Sequence, residues 1–472
     1  MEAGPAGTAA GSMPVIRDAC PSVHEPFAQL DGALVRIRVP GGLLDTSQVR
    51  RIAQAACAYG TVLEVTSRAN LQIRGVRTRS HHRLVEELVA AGVTLADAAA
   101  DARRNVLASP TAGVDPCEVC DTRPLTAAIA EVLVEAGGAG LSSKFGVLVD
   151  GGGAVHVRGR RQDICLGARR LVEGSWAYEV RLGQALPELD DDEPIVVVGP
   201  EDASTLVEGA VALMGDYPAA RGRMSGLVAL LGAEKVLSLA AASHHIQLAA
   251  VAPRDVERPA TASRRPIGPL RQRGPGHCAV GGMPVLGRLS GQQLDAVANV
   301  AEEFCDRPGE AEVRLTPWRS LLIPNVTRQG SSSALDALEQ LGLAIEVTDP
   351  ALSVVACAGS TGCPSSFTDT QRDARAMVES LRNVPTRSGF SVHFSGCSKR
   401  CADSTTEFDV TLVGGPTPGD YELEARPDLC ASDPPTQGPL DAERALSIVL
   451  SAAGSAGAAE VEAAAEVGSA GA

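Results

Sequence analysis

The chain has 472 residues, a formal net charge of −15 and 44% hydrophobic residues. That length suits about three domains with a real packed core. The acidic balance excludes a general nucleic-acid binder, which would be basic. No apolar run reaches the roughly 18 residues that a membrane-crossing helix needs.

Residues 1–17 are small and polar and read as a disordered N-terminus rather than a signal peptide. The cytoplasm is therefore the expected compartment, where the 12 cysteines are thiols or metal ligands rather than disulfides. In chain order, hydrophobic periodicity predicts a strand at Leu34–Val39, then helices at Thr46–Ala58, His82–Ala91 and Arg123–Glu135. Strands at Phe145–Val149 and Ile195–Val198, a helix at Leu206–Met214 and a strand at Ile246–Val251 follow. Residues 252–276 are rich in Pro and Arg and read as a linker. Beyond it come a helix at Gly291–Phe304, a strand at Leu352–Ala356, a helix at Thr370–Leu381, strands at Ser391–Phe394 and Phe408–Val413, and a helix at Asp441–Ala452. The Ala/Gly/Glu tail, 455–472, is expected to be disordered. Strands and helices mix without a regular parallel βαβ rhythm, which predicts an α+β fold.

The two sides of the linker resemble each other. GGLLDTSQVRRIAQAACAYG (41–60) precedes LEVTSRANLQIRGV (63–76), and LGRLSGQQLDAVANVAEEFC (286–305) precedes VRLTPWRSLLIPNV (313–326). Thr66 matches Thr316, Leu71 matches Leu321, Ile73 matches Ile323 and Val76 matches Val326. An internal duplication predicts a pseudo-twofold molecule with a central cleft, and an internal pseudo-dimer suffices as a monomer.

Four cysteines fall in two glycine-rich loops, ACAGSTGC (356–363) and SGCSKRC (395–401). Each loop follows an apolar strand. Cys357, Cys363, Cys397 and Cys401 can then converge as the four thiolates of a [4Fe-4S] cluster, with glycine backbone close enough to donate N–H groups to it. Zinc is disfavoured, because structural zinc pairs stand two to four residues apart and C-x5-C does not. Cys117 and Cys120 lack a second pair and are expected to be incidental, as are Cys20, Cys57, Cys165, Cys278, Cys305 and Cys430.

Cations gather at strand ends and turns: Arg36, Arg38, Arg68, Arg74, Arg104 and Lys144, with Lys399 and Arg400 inside the last cysteine loop. In an acidic chain such a set points to a polyanionic ligand, since guanidinium pairs bidentately with carboxylate. Asn70 and Gln72 can add neutral hydrogen bonds. His156, His393 and the pair His244–His245 are weighed as iron ligands against the commoner role of a satisfied core or surface histidine. No G-x-G-x-x-G follows a strand, so electrons are expected from an external donor, a ferredoxin or an NAD(P)H-linked reductase.

On these motifs the chain resembles the sulfite/nitrite reductase superfamily from about residue 18 to 450. The resemblance implies ferredoxin-like half-domains at 18–80 and 277–330, a reductase-like α+β domain at 81–251 and a cluster-binding α+β domain at 331–454. It also implies that Cys401 lies nearest the tetrapyrrole. Arg36, Arg104 and Lys144 match three cations of the superfamily's anion-binding quartet, while Gly146 stands where the fourth, a lysine, is expected. RDACPSVHEPFAQLDGALVRIRVPGG and HFSGCSKRCAD are more similar to the precorrin-3B synthase branch. That similarity implies a cluster-containing monooxygenase, with room for a mononuclear non-heme iron. Its substrate is precorrin-3A and it uses dioxygen. Siroheme sulfite or nitrite reduction is the alternative, and non-catalytic tetrapyrrole binding a second one.

Overall fold

A computed structural model describes residues 20–186, 193–257, 265–384, 389–403, 408–426 and 438–453. Four sheets organise them. In the first half-domain, Gly32–Ile37, Leu71–Val76 and Val62–Val65 form consecutive antiparallel neighbours. His277–Pro284, Leu321–Thr327 and Glu312–Leu315 do the same in the second.

The halves are tied by an exchange of strands. Leu43–Asp45 leaves the first half to pair with Glu312–Leu315, and Arg288–Leu289 leaves the second to pair with Val62–Val65. Each exchanged strand runs directly into a helix, Thr46–Tyr59 or Gly291–Phe304, closed by a reciprocal capping box at Asp45/Gln48 and Ser290/Gln293. The same cap at the same repeat position makes both helices start in register. Between them Arg50 pairs with Glu302 at 2.6 Å, and the two halves share one apolar core. The duplication read from the repeat is thus a pseudo-twofold pair.

The repeat extends further than the sequence comparison reached. The first mixed sheet opens with three parallel strands, Val106–Ala108, Val147–Asp150 and Ile164–Arg170, and then turns antiparallel at Trp176–Leu182. The second does likewise with Val354–Ala356, Val392–Ser395 and Val410–Gly414, then Asp420–Ala425. A helix follows the first strand of each, Arg123–Glu135 or Thr370–Leu381. The loop 109–122 of the first copy therefore occupies the topological place of the cysteine loop 357–369 of the second.

Three expected boundaries shift. Helices His81–Ala90 and Ser331–Gln340 bury Leu84, Leu88, Ala334 and Leu338 in the half-domain core, so each half-domain extends one helix beyond the expected 80 and 330. The stretch expected as a linker contains an edge strand, Gly268–Arg271, paired with His277–Pro284. Its proline is tolerated because an edge strand leaves one side of the backbone unpaired. The disordered ends expected at 1–17 and 455–472, and Cys430, lie outside the described residues. Among the described residues no single helix is long and apolar enough to cross a membrane.

Candidate functional site

Strand pleating builds one wall of the site. In LQIRGV, Leu71 and Ile73 point into the core beneath the helices, and Gln72 and Arg74 point the other way. The outward face carries a row across four strands, because Arg36 is registered opposite Gln72, Gln72 opposite Glu64, and Glu64 opposite Arg288. With its amide oxygen turned to Arg36, Gln72 accepts from Nη2 at 2.6 Å and Nε at 3.0 Å and donates to Glu64 at 3.0 Å. Glu64 in turn pairs with Arg288.

This wall faces a cavity of about 610 Å3 closed on the other side by the two cysteine loops. Cys357, Cys363, Cys397 and Cys401 all line it, together with Arg36, Arg68, Asn70, Gln72, Arg74, Lys144 and Lys399. The loops place the thiols at the ends of parallel strands: Cys357 follows Val354–Ala356, and Cys397 follows Val392–Ser395. The Gly396 N–H donates to Cys357 Sγ at 3.2 Å. Burial raises the Cys401 thiol pKa, and the neighbouring thiols of Cys397, Cys357 and Cys363 raise it further. Four thiols lining one cavity, with a backbone N–H already on one of them, are the donor set that a four-iron cluster takes. Among the described residues no three His, Cys, Asp or Glu side chains are set to hold a single metal ion, so a mononuclear iron finds no such cage there.

The expected cations divide by what they touch. Arg74 is committed to Asp31 at 2.8 Å, and Asn70 to the Val39 N–H at 2.8 Å, so both brace the wall. Lys399 reaches Ser365 at 3.3 Å. Arg104 and Arg400 do not line the cavity. Arg104 turns to buried Asp101 at 2.6 Å and to the Val93 carbonyl at 3.0 Å, and Arg400 pairs with Glu424 at the surface.

Sequence reasoning missed Cys20, Arg160, Arg161, Gln162 and Arg319, which also line the cavity. Arg160 donates to the Ser67 carbonyl at 3.2 Å and stacks over Trp318 at 5.3 Å. It is thereby gripped by TSRAN and TPWRS, the matching turns of the two half-domains. Burial lowers the pKa of Arg36 and Arg319 and brings that of Arg160 to about 10. Desolvated guanidinium groups facing one cavity are a cost that a polycarboxylate would relieve.

The histidines are apart from the cavity. His393 lies buried within strand Val392–Ser395, which leads to Cys397, and packs on Phe408 with ring centroids 4.8 Å apart; burial lowers its pKa to about 4. His244 and His245 are exposed at a helix end.

The first copy holds no counterpart of the cysteine site. Cys117 is exposed and Cys120 faces Tyr178 at 3.3 Å, with burial raising its thiol to about 11. Carboxylates knit this loop instead: Asp115 accepts from the N–H groups of Cys117 and Ala154, each at 2.8 Å. Glu118 is buried beside Arg273, and burial pushes its carboxyl up to about 7. Because that value lies above the ordinary 4.5, the stability it contributes is present below about pH 4.5 and lost as pH rises through about 7. The unfolding free energy from urea titration should therefore fall between about pH 4.5 and 7, by up to ~1.4 kcal/mol per pH unit, and level off above that. Glu118→Gln should flatten that slope, and an unchanged slope would refute the assignment.

The Nitrite/Sulfite reductase ferredoxin-like half domain family matches residues 27–91 and 270–341, the two halves of the pseudo-twofold pair. A precorrin-3B synthase from Sinorhizobium sp is 31% identical over 419 residues, covering 88% of this chain and 83% of that one. The chain belongs to the precorrin-3B synthase branch of the nitrite/sulfite reductase family. A ferredoxin–nitrite reductase from Synechococcus elongatus is 25% identical, covering 84% of this chain and 79% of that protein. The fold is shared with the structure of Mycobacterium tuberculosis NirA protein at a TM-score of 0.68 and 19% identity, over 87% of this chain and 78% of that one. Members of this enzyme family are oxidoreductases, and the repeated half-domains seen here are those the family match describes.

Proposed function

We propose that the chain is a precorrin-3B synthase-type monooxygenase of aerobic cobalamin biosynthesis. It would bind precorrin-3A in the cavity and, with dioxygen and an external electron donor, hydroxylate it at C20 with formation of the γ-lactone. The observation that carries this reading is one cavity lined at once by all four cysteines and by cations from both half-domains. Its volume of about 610 Å3 suits a single large ligand.

Precorrin-3A is a uroporphyrinoid with eight carboxylates. Arg36, Arg68, Arg160, Arg161, Lys144 and Lys399 would take those carboxylates by charge-assisted hydrogen bonds. Cys357, Cys363, Cys397 and Cys401 would hold a [4Fe-4S] cluster, which when bound delivers electrons one at a time. Gln72 holds the Arg36 guanidinium toward the cavity, and Ser67 and Trp318 brace Arg160 at the same cavity.

Siroheme-dependent sulfite or nitrite reduction is the second reading, favoured by relatives such as the Synechococcus enzyme. Two features weigh against it. A Cβ added to Gly146 would meet Gln162 Oε1 at 2.5 Å and the Asn105 carbonyl at 3.2 Å, so a neutral amide fills the place of the expected lysine. Arg104 is neutralised by Asp101. A pocket with fewer free cations stabilises a small oxyanion less well and leaves more of its surface for the macrocycle. Anaerobically purified protein should show cluster absorption without siroheme bands, and should convert precorrin-3A only when dioxygen and reductant are both supplied. A resident siroheme with nitrite or sulfite turnover would establish the second reading instead.

A further inference from the structure

Each cysteine loop is gripped at a main-chain carbonyl beside one of its cysteines, and the two arginines responsible come from different half-domains. Arg74, on strand Leu71–Val76 of the first, donates from Nη2 to the Gly362 carbonyl at 3.1 Å, one residue before Cys363. Arg319, in the TPWRS turn of the second, donates from Nη2 to the Ala402 carbonyl, one residue after Cys401.

Both contacts are built into their surroundings. A Cβ on Gly362 would lie 2.7 Å from Arg74 Nη2, so glycine is what lets the guanidinium reach the carbonyl. Asp31 fixes the same guanidinium at 2.8 Å through Nε and 3.2 Å through Nη2. Arg319 sits at φ 63°, a left-handed conformation costing about 1–2 kcal/mol for a residue with a side chain. The turn holds it there: the Arg319 N–H donates to the Thr316 carbonyl at 3.1 Å and the Thr316 N–H to the Ser320 carbonyl at 3.0 Å. Ala69, one of the few other non-glycine residues in this conformation, occupies the matching turn of the first half.

The two arginines differ in charge balance. Arg74 is ion-paired directly to Asp31, whereas Arg319 forms no direct ion pair with a described carboxylate and feels Glu64 and Asp403 only across the shared cavity. We infer that Arg74 and Arg319 are paired positioning residues, setting the two cysteine loops against each other from opposite half-domains, with the charge of Arg319, held by no direct ion pair, raising the reduction potential of the cluster. The inference rests on the reading that the four cysteines hold a [4Fe-4S] cluster. A fixed cation near a cluster favours its reduced, more negative form, and outer contacts that orient ligands govern retention of the metal. Arg74, its charge cancelled, acts on loop geometry alone.

The test uses the full chain reconstituted with iron and sulfide, reading the midpoint potential and the rate of cluster loss to a chelator. Arg319→Gln should lose its cluster about tenfold faster or more, with a midpoint shifted to more negative potential. Arg319→Lys should restore the potential but not the chelator resistance, because an ammonium supplies the charge without the guanidinium's reach to the carbonyl. Arg74→Gln combined with Asp31→Asn, which conserves charge, should accelerate loss while leaving the midpoint in place. Variants of Arg319 that match the unsubstituted protein in both measurements would overturn the inference. An unsubstituted protein that binds no four-iron cluster would overturn the cluster reading itself.

Discussion

Alanine at Cys397 or Cys401 should abolish the cluster: iron and labile sulfide are expected to fall from about four of each per chain to a small remainder. Cys357→Ala and Cys363→Ala should do the same, because two loops each supply two sulfurs and neither pair suffices alone. The parallel strands Val354–Ala356 and Val392–Ser395 deliver the loops side by side, so the remaining thiols stay in place but lack a fourth corner. Cys117→Ala and Cys120→Ala are the internal control. They lie in the topologically equivalent loop, yet Cys120 is turned to Tyr178 and the loop is knitted by Asp115, so iron content should not change. Iron and sulfide analysis with the visible spectrum of anaerobically prepared protein decides the matter. Retention of full iron and sulfide by the Cys397 and Cys401 variants would remove the basis of the proposed function.

How far the sequence was legible depends on whether local pattern and tertiary role agreed. Helices Arg123–Glu135, Gly291–Phe304 and Thr370–Leu381 lie where periodicity placed them, the last two closed by Ser290 and Asp369 caps that are visible as residue types. Strands Ile164–Arg170 and Trp176–Leu182 are hidden from the sequence pattern because each carries a buried charge. Arg169 and Glu179 pair at 2.6 Å in the interior, so residues that look like surface are core. The four cysteines were legible from spacing and glycine content alone. The cations were only partly so, since a linear motif does not say which way a guanidinium turns. Arg319 gave no signal through the repeat, because its counterpart in TSRAN is Ala69, while Arg68 aligns with Trp318. The alternation of LQIR against LLIP also carries a signal that this strand is polar on its outward side only in the first half.

Arg36 and Arg104 test whether geometry or motif is the better guide, since both were expected in one anion-binding set. Arg36 lines the cavity with its nitrogens on Gln72, while Arg104 is spent on an aspartate with no exposed surface. Arg104→Met should therefore act on folding. It strands a buried Asp101 carboxylate, which costs about 3–5 kcal/mol, and the loss should appear in the urea midpoint. The folded fraction should bind tetrapyrrole with unchanged affinity. Arg36→Met should do the reverse. A charge-assisted contact worth about 1.5–3 kcal/mol disappears, weakening binding of an octacarboxylate uroporphyrinoid by about ten- to a hundredfold with little change in stability. Titration of both variants with such a tetrapyrrole, beside their denaturation curves, separates the two roles. If Arg104→Met weakened binding in well-folded protein while Arg36→Met did not, the wall of Arg36, Gln72 and Glu64 would not be the surface that receives the ligand.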